Sequence, residues 1–485
     1  MTADDVAGPA TGYEPELKRT LGGFQIFAIS FAFISVAVGI FGTYGVVLGT
    51  AGPVGIWLWV IASVGQTLVA LVVAQFAARI ALTGSSYQWA SRLASPKVGW
   101  LFGWLTFWFL AIAVVAIDNA LASQALMPLL GMGSDEDTAR VLTVVILVVQ
   151  AVLVIASTRL LGLITSGAVG VELAIVAVLV IALAAVMLFT GSGSLENLTS
   201  RGVAAADPNY FAVGGGLTAG MIMGLTTLVG FDSAANLAEE AKDPFRSVPR
   251  AIVASVVAAA VLGLVFLIAL TAAIKDIPAV TASGSPVAAI IRSQLGPISE
   301  RILLACLAFA MFGAGMVVMA ACSRQVFAMA RDERFPAHAL MRRVNPKTQT
   351  PIAATILILV VGVVLMLALP GQALLQLIIG STILPALIYG ATVILYLAVR
   401  KNLDHEEGGF SLGRFEMPVA VAALIWVGVA LFALVTPGDA STSVLIVIGL
   451  IAAGGVYFAY LMIFRREVLD HEPGEESTSV TSVAT

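Results

Sequence analysis

Charge is scarce in this chain. Only 11% of its 485 residues are Asp, Glu, Lys or Arg, while 59% are hydrophobic and the mean hydropathy is +1.01. A soluble fold cannot hide that much apolar surface, so the composition points to a helical protein with many membrane spans. Alternating apolar and polar residues are also missing, which disfavours a β-barrel. Only two cysteines occur, Cys306 and Cys322, and both fall on one predicted helix. Sixteen residues of helix set them roughly 24 Å apart, too far to pair, so no disulfide framework is visible. The three histidines, His338, His405 and His471, fall in loops or a tail and form no cluster. No HExxH motif and no nucleophile–base pair is visible, so neither a cofactor, a metal nor an enzymatic activity is expected. The net charge of −4 resides in loops and tails, and nucleic acid is not expected as a partner. The N-terminus carries Asp4, Asp5, Glu14 and Glu16 rather than a basic stretch leading into a short apolar core, so a cleaved signal peptide is not expected.

What is present is a series of apolar runs near the ~20 residues that a helix needs to cross a bilayer. Twelve spans are predicted, over 24–49, 53–80, 98–127, 140–157, 162–190, 213–240, 249–273, 299–331, 351–369, 373–399, 417–436 and 442–464. A tail at 1–22 and another at 466–485 frame this 23–465 domain, and "EPGEESTSVTSVAT" at the end has no apolar face to bury. Twenty of the 25 Lys and Arg residues fall on the side shared by both tails and the even-numbered loops. The positive-inside rule then places both termini in the cytoplasm.

The first and sixth spans share a glycine-punctuated interior, "FISVAVGIFGTYG" from Phe33 to Gly45 and "GLTTLVGFDSAAN" from Gly224 to Asn236. Each opens a block of five spans, 24–190 and 213–399. Five is odd, so the second block sits inverted in the membrane. Interrupted helices at matching places in inverted halves mark the binding site of a transporter. Where a helix breaks in lipid, its free amides and carbonyls must face protein or a water-filled cavity. Free carbonyls suit an ammonium group and free amides suit a carboxylate.

Three acids lie well inside spans, away from their predicted ends. Asp232 follows Gly230 and Phe231 in the sixth span. It either sits at a break, binding a cation or taking a proton, or the helix ends early and it already meets water. Asp118, beside Asn119 in the third span, pairs with a substrate ammonium or is satisfied by a neighbouring helix near the outer water. Glu172 in the fifth span is a proton-coupling carboxylate or a structural hydrogen-bond partner across helices. Glu239, Glu240, Lys242 and Asp243 form an ordinary polar mouth or an inner gate. Pro249 is expected in the first turn of the seventh helix, capped near Ser247 or Val248. Gly99-xxx-Gly103 and Gly220-xxx-Gly224 read as close packing seams. Trp57, Trp59, Trp89, Trp100, Trp104 and Trp108 lie near predicted span ends, where interfacial anchoring is expected for most.

"GFDSAANLAEEAKDPFRSVPRAI" (Gly230 to Ile252), "VGIFGTYG" (Val38 to Gly45), "LTGSSYQWASRLASPKVGWLFGW" (Leu82 to Trp104) and "SRQVFAMARDERFP" (Ser323 to Pro336) together resemble, in order, signatures of the amino acid–polyamine–organocation permeases. The texture is closest to the branch for amino acids, γ-aminobutyrate, choline and related amines. The resemblance implies the leucine-transporter fold, with spans 1–5 and 6–10 an inverted pair and spans 11 and 12 peripheral. It also implies a substrate held at the midplane by spans one, three, six and eight. The family's Gly-(Ser/Thr)-Gly step falls on Ala37, Val38 and Gly39, and two of the three positions depart from it. Amide donation survives those changes and the hydroxyl does not. Thr226 falls where some relatives place a gating aromatic, so that gate is either missing here or replaced by Phe231. The Lys that many proton-coupled relatives carry in span five is absent. From Ile302 to Ala321 there is no Ser or Thr, so the hydroxyl pair of sodium-coupled relatives is absent too.

The expectation is therefore a secondary transporter in the cytoplasmic membrane. It would move an amino acid or small amine (a polyamine, γ-aminobutyrate, or a choline- or ethanolamine-like solute) with proton coupling or exchange. The expected site comprises Ser35, Val36, Ala37, Val38, Gly39, Asp118, Thr226, Val229, Gly230, Phe231 and Asp232, with Asp232 or Glu172 taking the proton. A channel for small cations or amines is the alternative.

Overall fold

In the computed structural model, residues 22–79, 85–133, 135–156, 158–346, 348, 350–369, 373–403 and 410–470 are described. The bulk of both tails, residues 82–84, His405 and His471 lie outside them. Among the described residues the chain is helical, without strands. Among the described residues eleven helices are long and apolar enough to cross a membrane, and a shorter apolar helix, Ile352–Ala368, takes the ninth place. The fold is an all-α membrane bundle of twelve helices in the 5+5 arrangement, with its first and sixth helices broken.

Proline sets several starts. Pro53, Pro96, Pro244 and Pro286 each occupy an opening position of a helix, where the missing N–H costs nothing. The seventh helix thus begins at Pro244, and Pro249 lies inside it rather than in its first turn. Helical residues extend from Pro286 to Arg331, but Gly296, at φ 83° and ψ 171°, is not helical and divides them into two helices. Only glycine adopts that φ without strain. Pro297 opens the second helix, so the eighth span starts close to the expected residue 299.

Outward residues such as Leu188, Phe189, Ile463 and Phe464 are exposed and apolar, as a lipid-facing surface requires. Inside, close approach depends on small residues. A methyl at Gly220 would sit 2.6 Å from the Ala51 Cβ, and one at Gly224 2.4 Å from the Ala62 Cβ. One at Gly103 would sit 2.8 Å from the Met329 sulfur. Both glycine pairs are packing seams between neighbouring elements.

The tryptophans behave differently from the expectation. Trp59, Trp89, Trp100 and Trp104 are buried in protein, and only Trp57 is exposed. Trp59 donates to the Ala260 carbonyl at 2.9 Å and Trp100 to the Arg334 carbonyl at 2.9 Å. A buried indole needs such an acceptor, and these rings pin helices to one another rather than to lipid headgroups.

At one end of the bundle the short helix Ser85–Leu93 packs on the third span. Tyr87 donates to Asp332 at 2.6 Å, and buried Arg334 donates to Tyr87 at 3.0 Å. Arg334 also reaches the Val468 carbonyl at 3.2 Å. The chain after the twelfth span turns over this cluster at Arg466–Leu469, burying Leu469. Lys242 and Asp243 are exposed, and the side chains of Glu239 and Glu240 are outside those described.

Candidate functional site

The first span consists of Gly23–Ile34 and Val36–Thr50, separated by Ser35 at φ 41° and ψ 81°. A left-handed serine costs about 1–2 kcal/mol. The Ser35 hydroxyl donates to Glu172 Oε1 of the fifth span at 2.9 Å, and the Ala37 amide donates to the same oxygen at 3.0 Å. A carboxylate therefore caps the restart of the helix, where partial positive charge collects.

The sixth span runs Ile222–Thr227, loses helical geometry at Leu228–Gly230, and resumes in tighter turns over Phe231–Glu240. Gly230 is required twice. Its φ is 82°, and a Cβ there would lie 2.2 Å from the Phe33 ring. Its amide donates to the Tyr389 hydroxyl at 2.8 Å, and that hydroxyl donates to Asp232 Oδ1 at 2.9 Å. Phe231 stacks on the Tyr389 ring with centroids 4.8 Å apart. Ser30 of the first span donates to the Phe231 carbonyl at 2.7 Å and so ties the two breaks together.

Between the breaks lies a cavity of about 90 Å³. Ser35, Val38, Gly39 and Thr43 line it from the first span, with Thr226, Thr227 and Val229 from the sixth. Phe109, Ala113 and Ile117 come from the third span, Val318 from the eighth, and Ile378 and Ser381 from the tenth. Gly39 lets the two broken helices touch, since a Cβ there would sit 2.1 Å from the Thr227 hydroxyl.

Four of the five lining hydroxyls donate to protein. Ser35 donates to Glu172, Thr43 to the Gly39 carbonyl at 2.6 Å, Thr227 to the Met223 carbonyl at 2.7 Å, and Ser381 to the Ile378 carbonyl at 3.1 Å. The fifth, Thr226, shares a 2.7 Å bond with the Thr382 hydroxyl in which either can be the donor, and Thr382 also lies 2.6 Å from the Ile378 carbonyl.

The expected site residues divide accordingly. Ser35, Val38, Gly39, Thr226 and Val229 line the cavity. Val36, Ala37, Gly230, Phe231 and Asp232 belong to the two breaks but not to the lining. Asp118 faces the fourth and eighth spans, accepting from Gln150 at 2.8 Å, and the bare Gly315 backbone makes room for it. Asn119 beside it donates to Thr143 at 3.0 Å. Glu172 and Thr165 border a smaller crevice among the first, fifth and eighth spans. Tyr389 had no signal in the sequence. A tyrosine on an apolar helix looks like any other, and only the break beside it gives it a role.

The family described as amino acid permease matches residues 21–456. Similar proteins include the amino-acid permease BAT1 of Arabidopsis thaliana, 27% identical over 88% of this chain and 87% of its own length. The GABA-specific permease of Saccharomyces cerevisiae is 27% identical over 86% of this chain and 75% of its own. A putative polyamine transporter of Candida albicans is 25% identical over 90% and 81%. With two broken helices around one buried cavity and a family match across nearly the whole sequence, the chain belongs to the amino acid permeases of the amino acid–polyamine–organocation superfamily.

Proposed function

We propose that the protein is a secondary transporter of the cytoplasmic membrane. It carries an amino acid or related small amine by alternating access, driven by protons or by exchange, with both termini in the cytoplasm. The observation that carries this reading is the meeting of the two breaks, at Ser35 and at Leu228–Gly230, around one cavity. Backbone freed at a break is tolerated in a membrane only where it serves such a cavity. Cargo contacts fall to Ser35, Val38, Gly39, Thr226 and Val229. Asp232 acts from behind through Tyr389, and Asp118 sets the third span through Gln150. Glu172, bonded to the first break, and Asp232, bonded beside the second, are the groups through which a proton would bias the two broken helices.

The test is uptake by proteoliposomes of purified protein under an imposed pH gradient, with amines and amino acids as cargo. Asp232→Asn abolishes uptake or frees it from the gradient while the protein stays monodisperse. Normal, gradient-driven uptake by that variant removes Asp232 from the mechanism. Ohmic currents in a planar bilayer would replace the transporter reading with a channel.

A further inference from the structure

We propose that Asp118 is a proton-binding site, held in the fold as a neutral carboxylic acid that forms a two-bond pair with Gln150 and so joins the third, fourth and eighth spans. The proposal stands apart from the transport reading. Its proton is separate from any that Glu172 or Asp232 would take.

The Gln150 amide nitrogen spends both of its protons on acceptors. One goes to Asp118 Oδ1 at 2.8 Å and the other to the Phe312 carbonyl of the eighth span at 3.1 Å. The reverse orientation of the amide would set Oε1 against these same two acceptors, so the hydrogen bonds fix which way it points. Two atoms of the pair are then left over. Asp118 Oδ2 and Gln150 Oε1 are both buried, and among the described residues neither has a partner. Both are acceptors, and one shared donor satisfies the two. A proton on Oδ2 is that donor. Its O–H donates to Oε1, and the acid and the amide are then joined by two hydrogen bonds in place of one. One proton thus removes two unmatched oxygens and a buried charge together. An ionised Asp118 would keep its charge at 0% exposure with a single neutral donor to hold it, which is strongly penalised.

No cationic side chain takes the place of that proton. Lys97, the basic residue of the third span, pairs with Asp470, and Arg140, that of the fourth, pairs with Glu136. In the eighth span Arg301 and Arg324 stand roughly 13 Å or more along the helix from Phe312 and Gly315. Val36–Thr50 and the ninth and tenth spans, which also pack near the third, hold no charged residue. A metal ion needs several oxygen ligands and room to place them. Here a methyl on Gly315 would already lie 2.6 Å from Asp118 Oδ1 and 2.5 Å from Gln150 Nε2. Asp118 borders neither the central cavity nor the crevice at Glu172. A proton needs no such space.

The test is infrared spectroscopy of the purified full chain at neutral pH, with an isotope label on the aspartyl side-chain carboxyl carbon. The stretch of a carboxylic acid is resolved there from that of a carboxylate. The parent is expected to show an aspartyl acid band. Asp118→Asn should abolish that band, and Gln150→Met, which removes the acceptor at similar side-chain length, should shift it to higher frequency. A parent spectrum with no aspartyl acid band overturns the proposal without any variant. A carboxylate band lost in Asp118→Asn, with the acid region unchanged, overturns it as well. An acid band indifferent to Gln150→Met overturns the pairing, and that reading holds even where Asp118→Asn does not fold. An acid band that disappears when sodium is added to sodium-free buffer would assign the site to a metal ion instead.

Discussion

A single glycine decides whether the sixth span can break. At Gly230 a side chain meets two penalties, a left-handed backbone and the Phe33 ring 2.2 Å from its Cβ. Gly230→Ala should lower stability by about 1–3 kcal/mol. It should also cost cargo affinity, because the ring and the Tyr389 bond must shift. A thermal melt and a binding titration check both, and an unchanged affinity would show the break to be irrelevant to the cavity. Gly315 offers a second case. A methyl there would lie 2.6 Å from Asp118 Oδ1 and 2.5 Å from the Gln150 amide, so Gly315→Ala should destabilise by more than an ordinary exposed-helix substitution. If its melting temperature matches the parent, Asp118 and Gln150 do not form the packed pair described.

Among the elements, the break at Gly296, just ahead of the eighth span, isolates backbone strain from packing. Gly296 has a φ of 83° and open space where a Cβ would go. Gly296→Ala should therefore cost only the conformational term, about 1–2 kcal/mol, with transport intact. Denaturant unfolding of the two proteins checks it. Lost transport at full stability would mean that the Gly296 break itself moves during the cycle. The sixth-span break was legible in the sequence because glycine, here Gly230, tolerates both irregular backbone and close approach, whereas the first break falls on Ser35 and was marked only by the glycines that follow it, from Gly39 on. The partners at the breaks were not. Glu172 and Tyr389 sit on helices that are apolar all round, so no polar stripe announces which way they are turned. Asp118 has the same ambiguity, and only its contact with Gln150 shows that it faces away from the cavity. The burial of Trp59 and Trp100 was hidden for a related reason, since an indole near a span end suits either a headgroup or a carbonyl.

At the scale of the whole molecule, the segment after the twelfth span clasps one end of the bundle. Arg465 bonds Glu333 and, at 2.8 Å, His338 Nε2. Lys97 pairs with Asp470 at 3.4 Å. Burial holds the His338 imidazole below its ordinary value of 6.5, against the pull of Glu333, and Arg465 and Arg342 lower it further. A histidine whose folded value is depressed is penalised only where the unfolded chain would be protonated. The clasp should be intact above about pH 6.5 and loosen as the pH falls below it. Protease cleavage after Arg466 should accelerate in that range, and His338→Gln should flatten the dependence. Cleavage that ignores pH would separate His338 from the clasp. The twelve-helix count and the two five-span blocks were readable in advance because membrane thickness fixes helix length.

The central claim is that the space between the two broken helices holds the cargo and opens to one side at a time. Thr226→Cys, in a background with Cys306 and Cys322 replaced, places a thiol on that space. Its labelling by a membrane-impermeant thiol reagent, applied to either face of proteoliposomes with and without a transported amino acid or amine, is the direct measurement. The account predicts that the cargo shields the thiol and that inhibiting the cycle leaves it reachable from one face only. Labelling unaffected by the cargo, or equal from both faces in the same arrested state, would contradict it.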